Sequence, residues 1–172
     1  MTDAEANRFA APELLEAGHD SSTFGCGAPM LDDWLRRRAL PNQISGGSRT
    51  YVLTRANLVI GYFTLAAGAI AVDEAPGRVR RNMPDPIPVA VLGRLAIDRT
   101  WQGRGLGRLL LRDAILRTRQ AAETIGIRAV LVHALSPEAK RFYESSGFRE
   151  SPANPMTLIV SLSDAIAAVG GG

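Results

Sequence analysis

The amino-acid sequence predicts an α/β protein in which helices pack on the faces of a mixed β-sheet. Its opening is antiparallel, because residues 50–54 and 58–72 are rich in β-branched and aromatic side chains and are separated by a short polar connection. Residues 87–97 are almost continuously apolar, as a strand buried on both faces should be. Two further apolar strands, at residues 128–135 and 156–162, alternate with helices, and this alternation indicates a mixed sheet.

Helical spacing of apolar residues predicts three helices around these strands. Residues 106–125 repeat apolar side chains at intervals of three and four and stop at Gly126, which makes this the most regular helix of the chain. Residues 29–40 form an amphipathic pattern with acids early and arginines late, so we expect a helix that ends at Pro41. Residues 136–147 open with a Ser-Pro-Glu start signal and close on a glycine, which predicts a further short helix.

Size and composition indicate a single domain without metal or disulfide chemistry. With 172 residues and 46% hydrophobic content, the chain can bury a core as one domain spanning residues 1–172. One cysteine and two histidines cannot form a zinc site, a disulfide framework or a Cys/His catalytic pair. The sequence has no leader-like segment and no apolar run that could span a membrane, so we expect a cytoplasmic protein.

Positive charge is concentrated in the middle of the chain. Residues 1–33 carry seven acids against one arginine, whereas residues 34–128 carry sixteen arginines against six acids. Arginine outnumbers lysine nineteen to one, and its guanidinium fork suits phosphate, although arginine-biased codon usage in a GC-rich genome explains most of the count. Residues 73–86, rich in proline and arginine, are predicted to form a basic loop outside the core that could contact a partner.

A glycine-rich turn after the buried strand carries the clearest chemical signal. In residues 102–107, Gln-Gly-Arg-Gly-Leu-Gly, three glycines alternate directly before the long helix, so a ligand can approach the backbone amides without meeting a Cβ. Those amides lie at a helix N-terminus, where the partial positive charge favours a bound phosphate. The turn lacks the Gly-Lys-Ser/Thr of a Walker loop, and its spacing differs from the G-x-G-x-x-G of dinucleotide-binding folds.

The strand and the turn together resemble motif A of the GCN5-related N-acetyltransferases, the GNAT family. The family signature, Gln/Arg-x-x-Gly-x-Gly/Ala, is filled by Gln102, Gly105 and Gly107 after the strand sequence Val-Leu-Gly-Arg-Leu-Ala-Ile-Asp of residues 91–98. Residues 141–148, Arg-Phe-Tyr-Glu-Ser-Ser-Gly-Phe, resemble the family's motif B. The resemblance implies a GNAT fold, with a central, mostly antiparallel sheet, a splayed parallel strand pair and flanking helices. It also implies acetyl-CoA as the cofactor.

The same resemblance divides the chain by function and assigns site residues. It implies an acetyl-CoA-binding half at residues 87–162 and a substrate side at about residues 1–86, and we expect a flexible tail at residues 163–172. Tyr143 is expected to be the general acid that protonates the departing thiolate of coenzyme A, with a core tyrosine as the alternative. No glutamate or histidine lies where a general base is expected. The residues expected to bind acetyl-CoA are Leu95, Ala96 and Ile97 on the strand, Gln102, Gly103, Arg104, Gly105, Leu106, Gly107 and Arg108 in the cradle, and Ser136.

A narrower resemblance links the chain to the GNAT toxins of type II toxin–antitoxin modules, through residues 24–35, 45–51, 86–89, 92–96 and 154–157. It implies acetylation of the α-amino group of aminoacyl-tRNA, which blocks translation, and neutralisation by a ribbon-helix-helix antitoxin that alone would contact DNA. Similar toxins are commonly homodimers. An aminoacyl ester's amine is less basic than that of lysine, which agrees with the missing base. The candidate tRNA-binding residues are Arg36, Arg37, Arg38, Arg49, Arg78, Arg80 and Arg81, since phosphates are bound through sequence-independent charge.

Two other functions stay open at this point. A GNAT enzyme could acetylate a small-molecule amine or a protein N-terminus, and the arginine surface would then be incidental. The chain could also be a non-enzymatic acyl-CoA-binding module. Salt dependence separates tRNA from a small amine as acceptor, because phosphate contacts weaken steeply as salt screens them.

Overall fold

The computed structural model describes residues 9–170, which fall into two compact units. The first unit takes in the chain up to Ala66 together with Arg94–Ala114. The second unit takes in Ala67–Gly93 and the chain from Ile115 onward. Two strands and one helix run through both units, and the expectation of a single folding domain stays a prediction.

The first unit is built on antiparallel strands, in the order β1-β2-β3-β4. The hairpin between β2 and β3 turns at Ala56 (φ 49°) and Asn57 (φ 67°), and two successive residues at positive φ are typical of a type I′ turn. The core of this unit includes Phe24, Leu35 and Tyr62. Its elements are β1 (Glu13–Leu14), α1 (Pro29–Arg37), α2 (Ala39–Ile44), β2 (Arg49–Arg55), most of β3 (Leu58–Ile70), the end of β4 (Ile87–Ile97), a 3₁₀ turn (Arg99–Trp101) and the start of α4 (Leu106–Ala121).

The second unit continues the sheet in the order β3-β4-β5-β7-β6. Strands β4 and β5 are parallel, with Val89 opposite Ala129, whereas β7 pairs antiparallel with both β5 and β6. The prediction of a mixed, mostly antiparallel sheet with one parallel strand pair is therefore confirmed. The remaining elements of this unit are a 3₁₀ turn (Val72–Glu74), α3 (Gly77–Arg80), β5 (Ala129–His133), α5 (Pro137–Glu144), β6 (Arg149–Glu150), β7 (Thr157–Ser161) and α6 (Leu162–Gly170).

Two helix ends differ from the sequence expectation. The helix expected to end at Pro41 ends at Arg37, and a second helix, α2, runs on through the proline. A proline is tolerated there because the first helical turn has no acceptor for its missing N–H. Helix α4 ends at Ala121, and residues 122–124 form turns before the glycine at which the helix was expected to stop.

The prediction that residues 73–86 form a loop outside the core is wrong. Helix α3 lies inside this segment, and Ala75 and Val79 are 0% and 2% exposed. Both belong to a core cluster that also contains Ile87. Val79 lies on α3, whereas Ala75 precedes the helix in extended backbone (φ −102°, ψ 143°), so two single residues enter the core from different local structures. Two isolated apolar residues among prolines and arginines give no periodic signal in the sequence.

The tail expected to be flexible from residue 163 is a helix over most of its length. Helix α6 buries Leu162 and Ala165, and the Ser161 hydroxyl accepts a hydrogen bond from the Asp164 amide at 3.2 Å, which caps the first turn. The last two positions of that expected tail, 171 and 172, lie outside the described residues. None of the helices between residues 9 and 170 is long and apolar enough to cross a membrane.

Candidate active site

The glycine-rich turn of the first unit has the backbone geometry of an anion cradle. Gly103 and Gly105 both adopt positive φ, at 76° and 80°, in the left-handed region that other residues enter only with strain. Helix α4 begins at Leu106, whose side chain is 1% exposed and anchors the turn in the core. Since the first amides of a helix have no intrahelical acceptor, the turn offers them to a ligand.

Gln102 fixes this turn through its side-chain amide. Its Nε2 donates to the carbonyl of Cys26 and to that of Ile97, both at 2.8 Å. The side chain therefore joins the turn to the end of β4 and to a segment 76 residues earlier in the chain. This supports a role for Gln102 in shaping the cradle, while a direct contact between its side chain and the cofactor stays a prediction.

Asp98 is a second brace of the cradle, and sequence reasoning missed it. One carboxylate oxygen accepts from the Thr100 amide at 3.0 Å and caps the 3₁₀ turn, while the other accepts from the Gly25 amide at 3.0 Å. The Arg99 amide donates in turn to the Gly25 carbonyl at 2.8 Å. Both the amide and the carbonyl of Gly25 are thus hydrogen-bonded to residues directly before the cradle. The sequence signal available was the Asp-x-Thr capping pattern directly after the strand.

Trp101 holds the first arginine of the cradle. The Arg104 guanidinium carbon lies 4.7 Å from the indole centroid, and that of Arg55 lies 5.1 Å from it, both within cation–π range. The ring of Phe9 meets the indole edge-on at 5.8 Å. Arg104 and Arg108 both have exposed side chains, on the turn and on the first helical turn of α4. Trp101 was not predicted to have a role, and its place beside Arg104 makes it a positioning residue of the cradle.

The strand end expected to hold the pantetheine arm is packed closely against β3. Ala96 is 6% exposed, whereas Leu95 and Ile97 are half-buried. A Cβ added at Gly61 would lie 2.9 Å from the Ile97 Cδ1 atom and 3.3 Å from the Ala96 carbonyl oxygen, so only glycine permits this approach. The strand is accordingly held in one position, as a backbone that binds a ligand requires.

Aromatic side chains of the first unit form packed stacks, as expected. Trp34 stacks on Tyr62 at 6.2 Å with an interplanar angle of 9°, and the Arg94 guanidinium lies 3.9 Å from the Trp34 centroid. The Tyr62 hydroxyl donates to the Leu31 carbonyl at 2.7 Å, and burial raises the pKa of this tyrosine. Tyr51 stacks on Phe63 at 5.2 Å. Each of these rings serves the packing of the unit.

Cys26 lies beside the cradle but lacks the properties of a nucleophile. Burial, aided by the carboxylate of Asp32, raises the pKa of the Cys26 thiol to about 11. The Cys26 amide donates to Asp32 at 2.9 Å, and the thiol faces the Ala28 carbonyl at 3.6 Å. A thiol with this pKa stays protonated at neutral pH, and we assign Cys26 no catalytic role.

In the second unit, helix α5 positions Tyr143. The Ser136 hydroxyl accepts from the Ala139 amide at 3.1 Å, and a proline follows at the first helical position. The Tyr143 ring is 5% exposed and packs against Phe142 and Phe148, at centroid distances of 5.1 and 5.4 Å. The cap uses the Ser136 oxygen as acceptor, and its predicted contact with acetyl-CoA stays a prediction.

The Tyr143 hydroxyl is the free end of a buried side chain. Within residues 9–170 it makes no hydrogen bond, and burial is the sole cause that raises its pKa. The hydroxyl oxygen has no partner in this part of the chain but is not fully buried, so it reaches solvent-accessible surface. The phenol is protonated at neutral pH, which is the state that a general acid needs.

The candidate tRNA arginines differ in how far they are already engaged. Arg36 donates to the Phe24 carbonyl at 2.6 Å and lies 3.5 Å from Asp33, and Arg78 forms a two-point ion pair with Asp164. The exposed members of the set without a carboxylate partner in the described chain are Arg37, Arg38 and Arg49 of the first unit and Arg80 and Arg81 of the second. Between residues 9 and 170, no group of three or more His, Cys, Asp or Glu side chains could hold a metal ion.

Known proteins of similar sequence are acetyltransferases. Residues 46–150 match the family model described as an acetyltransferase (GNAT) domain. A tRNA-acetylating toxin from Mycobacterium tuberculosis (strain H37Rv) is 52% identical over 162 residues, which cover 94% of this chain and 98% of the relative.

Two solved structures share the fold at a similar coverage. AtaT complexed with acetyl-methionyl-tRNAfMet superposes with a TM-score of 0.83 at 30% identity, over 89% of this chain and 95% of that one. A tyrosine-to-phenylalanine mutant of the toxin AtaT, bound to the C-terminus of the antitoxin AtaR and acetyl-CoA, superposes with a TM-score of 0.79 at 29% identity, over 91% and 96%. The predicted fold, the N-acetyltransferase activity and the use of acetyl-CoA are confirmed, and the chain belongs to the GNAT family of acetyltransferases.

Proposed function

We propose that this protein is a toxin that transfers the acetyl group of acetyl-CoA to the α-amino group of aminoacyl-tRNA and thereby blocks translation. The single observation that carries the donor half of this proposal is the pair of positive-φ glycines, Gly103 and Gly105, at the start of a 16-residue helix. The tRNA half is supported by the 52% identity to a tRNA-acetylating toxin over nearly the whole chain.

The donor is held by backbone groups and by two arginines. The amides of residues 103–107 bind the pyrophosphate of acetyl-CoA at the positive end of α4, and Arg104 and Arg108 supply the countercharge. The strand residues Leu95, Ala96 and Ile97 bind the pantetheine arm through their backbone. Ser136 is the remaining cofactor contact that we propose.

Tyr143 acts as the general acid of the transfer. The neutral α-amine attacks the thioester carbonyl carbon, a C–N bond forms and the C–S bond breaks. The departing thiolate takes its proton from the Tyr143 hydroxyl, which is protonated at neutral pH. The new amide nitrogen loses its surplus proton to solvent, and the phenolate is reprotonated from solvent.

The acceptor needs no dedicated base. The amine of an aminoacyl ester is less basic than a lysine amine, so a larger fraction of it is neutral at pH 7. The exposed arginines supply sequence-independent attraction for the tRNA backbone, and the candidates without a carboxylate partner among residues 9–170 are Arg37, Arg38, Arg49, Arg80 and Arg81. Arg36 and Arg78 can contribute only in part, because each already has a partner.

Regulation follows the pattern of the relatives. Since AtaT has been solved with the C-terminus of AtaR, we propose that an antitoxin binds this protein too, that it is of the ribbon-helix-helix type, and that it alone contacts DNA. We further propose a cytoplasmic homodimer. A neighbouring gene that encodes a ribbon-helix-helix protein would support the antitoxin proposal. A dimer mass by light scattering would support the homodimer, and a monomer mass at working concentration would contradict it.

The test of the substrate uses purified protein with radiolabelled acetyl-CoA. We expect label on aminoacyl-tRNA, none on uncharged tRNA, and little on free amines or peptides. Raising the salt from 50 to 200 mM should reduce the rate with tRNA steeply, because several phosphate contacts are screened. Label on a small amine or a peptide N-terminus, with no salt dependence and none on aminoacyl-tRNA, would establish the alternative acceptor.

A further inference from the structure

The second unit contains a cavity of about 380 Å³ that brings together two of the candidate tRNA arginines, Arg78 and Arg81. It is lined by Gly77, Arg78, Arg81, Arg128, Ser161 and Ser163. Arg128 directly precedes β5, and Ser161 is the partner of Ala129 at the first position of that strand. The cavity therefore lies where β5 begins.

The cavity is separate from the Tyr143 end of the same unit. Helix α5, which carries Tyr143, follows the other end of β5. Five residues of extended strand between the two ends span about 17 Å. The cavity and the start of α5 therefore lie at opposite ends of β5.

The charge balance of the cavity is positive. Arg78 is neutralised by its two-point ion pair with Asp164, and the hydrogen bonds from Arg78 hold the pKa of that carboxyl below its usual range. Arg128 has no carboxylate partner among the described residues. Arg81 has no side-chain partner at all between residues 9 and 170. The guanidinium groups of Arg81 and Arg128 thus line the cavity without a carboxylate to balance their charge.

Arg128 is held in position before any ligand arrives. Its Nε donates to the Val79 carbonyl at 3.0 Å and one terminal nitrogen donates to the Arg78 carbonyl at 3.1 Å. Because both acceptors are backbone carbonyls of α3, they orient the guanidinium without cancelling its charge. The remaining N–H groups stay available for an anion, which is the arrangement of a preorganised site.

We propose that this cavity binds a backbone phosphate of the tRNA substrate, at a nucleotide remote from the aminoacyl end. Guanidinium forks are donors that suit phosphate oxygens. The Ser161 and Ser163 hydroxyls share one hydrogen bond at 3.3 Å, which leaves one hydroxyl hydrogen for a phosphate. A volume near the lower end of the roughly 300–1,000 Å³ range of small-molecule sites admits a phosphate with its sugar. Arg80 is exposed on the same short helix as Arg78.

This inference rests on the proposed function and names one docking point of its substrate. The cavity positions the body of the tRNA and takes no part in the chemistry. It predicts that loss of the cavity charge weakens binding of whole tRNA while it leaves a short acceptor and acetyl-CoA unaffected.

The experiment compares Arg81→Gln with Arg119→Gln, a matched control that removes an exposed arginine from the last turn of α4, outside the cavity. Arg81 has no partner to lose, so both variants should melt at the wild-type temperature. KM is measured for aminoacyl-tRNA, for an aminoacylated dinucleotide that mimics the tRNA end, and for acetyl-CoA. Uncharged tRNA binding is followed by fluorescence anisotropy over a salt series.

We expect Arg81→Gln to raise KM for aminoacyl-tRNA about fivefold to tenfold and to lower the salt slope of tRNA binding by about one, as loss of one phosphate contact does. KM for the dinucleotide and for acetyl-CoA should stay at the wild-type value, and Arg119→Gln should match wild type throughout. Arg81→Lys, which keeps the charge but not the fork, should lie between wild type and Arg81→Gln.

Three results would overturn the inference. The first is equal tRNA binding by Arg81→Gln and Arg119→Gln; the second is an equal loss for the dinucleotide. The third is binding of AMP or inorganic phosphate that Arg81→Gln abolishes while tRNA binding is unchanged, which would assign the cavity to a free ligand. If wild-type protein acetylates no aminoacyl-tRNA, the proposed function fails by itself, and the anisotropy comparison still decides whether the cavity holds an RNA phosphate.

Discussion

Replacing Tyr143 by phenylalanine separates catalysis from stability more cleanly than any other single change in this chain. The ring, which is 5% exposed, keeps its contacts with Phe142 and Phe148. The hydroxyl makes no hydrogen bond between residues 9 and 170, so its removal leaves no described partner unsatisfied. We therefore expect the free energy of unfolding to stay within about 0.5 kcal/mol of the wild-type value.

The same substitution should cost most of the turnover. Loss of a positioned general acid lowers the rate by about 10²–10⁴-fold, which corresponds to about 3–5 kcal/mol of barrier. Binding of acetyl-CoA should be unchanged, because the cofactor cradle lies on other residues. The assay is kcat for aminoacyl-tRNA acetylation at saturating acetyl-CoA, alongside calorimetric titration of the cofactor and a denaturant melt.

Tyr62→Phe is the matched control for this pair of readouts. Its hydroxyl is buried and donates to the Leu31 carbonyl at 2.7 Å, so the same loss of one oxygen leaves an acceptor unsatisfied. We expect a destabilisation of about 1–3 kcal/mol with kcat per folded molecule near the wild-type value. If Tyr143→Phe instead loses stability and retains its turnover, the tyrosine is a core residue and the assignment of the acid is wrong.

Three further predictions concern the first unit. Gly103→Ala should lower the free energy of unfolding by about 1–2 kcal/mol, because its φ of 76° strains any residue with a Cβ even though no atom lies within 4 Å of the added carbon. Gly126→Ala, which has equal space and no positive φ, should cost nothing. Equal melting temperatures of the two variants would refute the backbone strain. Trp101→Leu should weaken acetyl-CoA binding about fivefold by calorimetry, as loss of an exposed cation–π contact of about 1 kcal/mol implies; an unchanged Kd would show that the indole does not position Arg104. Because the pKa of Cys26 is raised from 9.0 to about 11, its thiolate fraction at pH 8 is about 100-fold lower than in the unfolded chain. Iodoacetamide should therefore react about 100-fold more slowly with the folded protein than with the unfolded chain at pH 8, and faster as the pH approaches 11. Equal rates for the folded and unfolded protein would contradict the burial of the thiol.

The sequence was informative wherever the signal was local. The cradle, the parallel strand before it and the capped Tyr143 helix each depend on residues within about twenty positions of one another, and the structure places them as expected. Helix α3 was missed because its one buried residue, Val79, lies among prolines and arginines that are typical of loops. Helix α6 was missed because alanine and glycine near a chain end carry little periodic signal.

Long-range partners could not be read from the sequence. Gln102 fits the family signature whether its amide meets a ligand or the carbonyl of Cys26, 76 residues away. In the sequence, Arg78 is simply one positive charge. In the structure its charge is neutralised by an ion pair with Asp164, 86 residues later. Charge counts therefore show how many arginines a segment carries, while the geometry decides which of them lack a carboxylate partner.

Mass spectrometry of the aminoacyl group released from tRNA tests the central claim most directly. After incubation with acetyl-CoA, mild alkaline hydrolysis should release an N-acetylated amino acid from charged tRNA, and Tyr143→Phe should release it far more slowly. A charged tRNA that yields only the unmodified amino acid, from a preparation that acetylates another amine, would contradict the account.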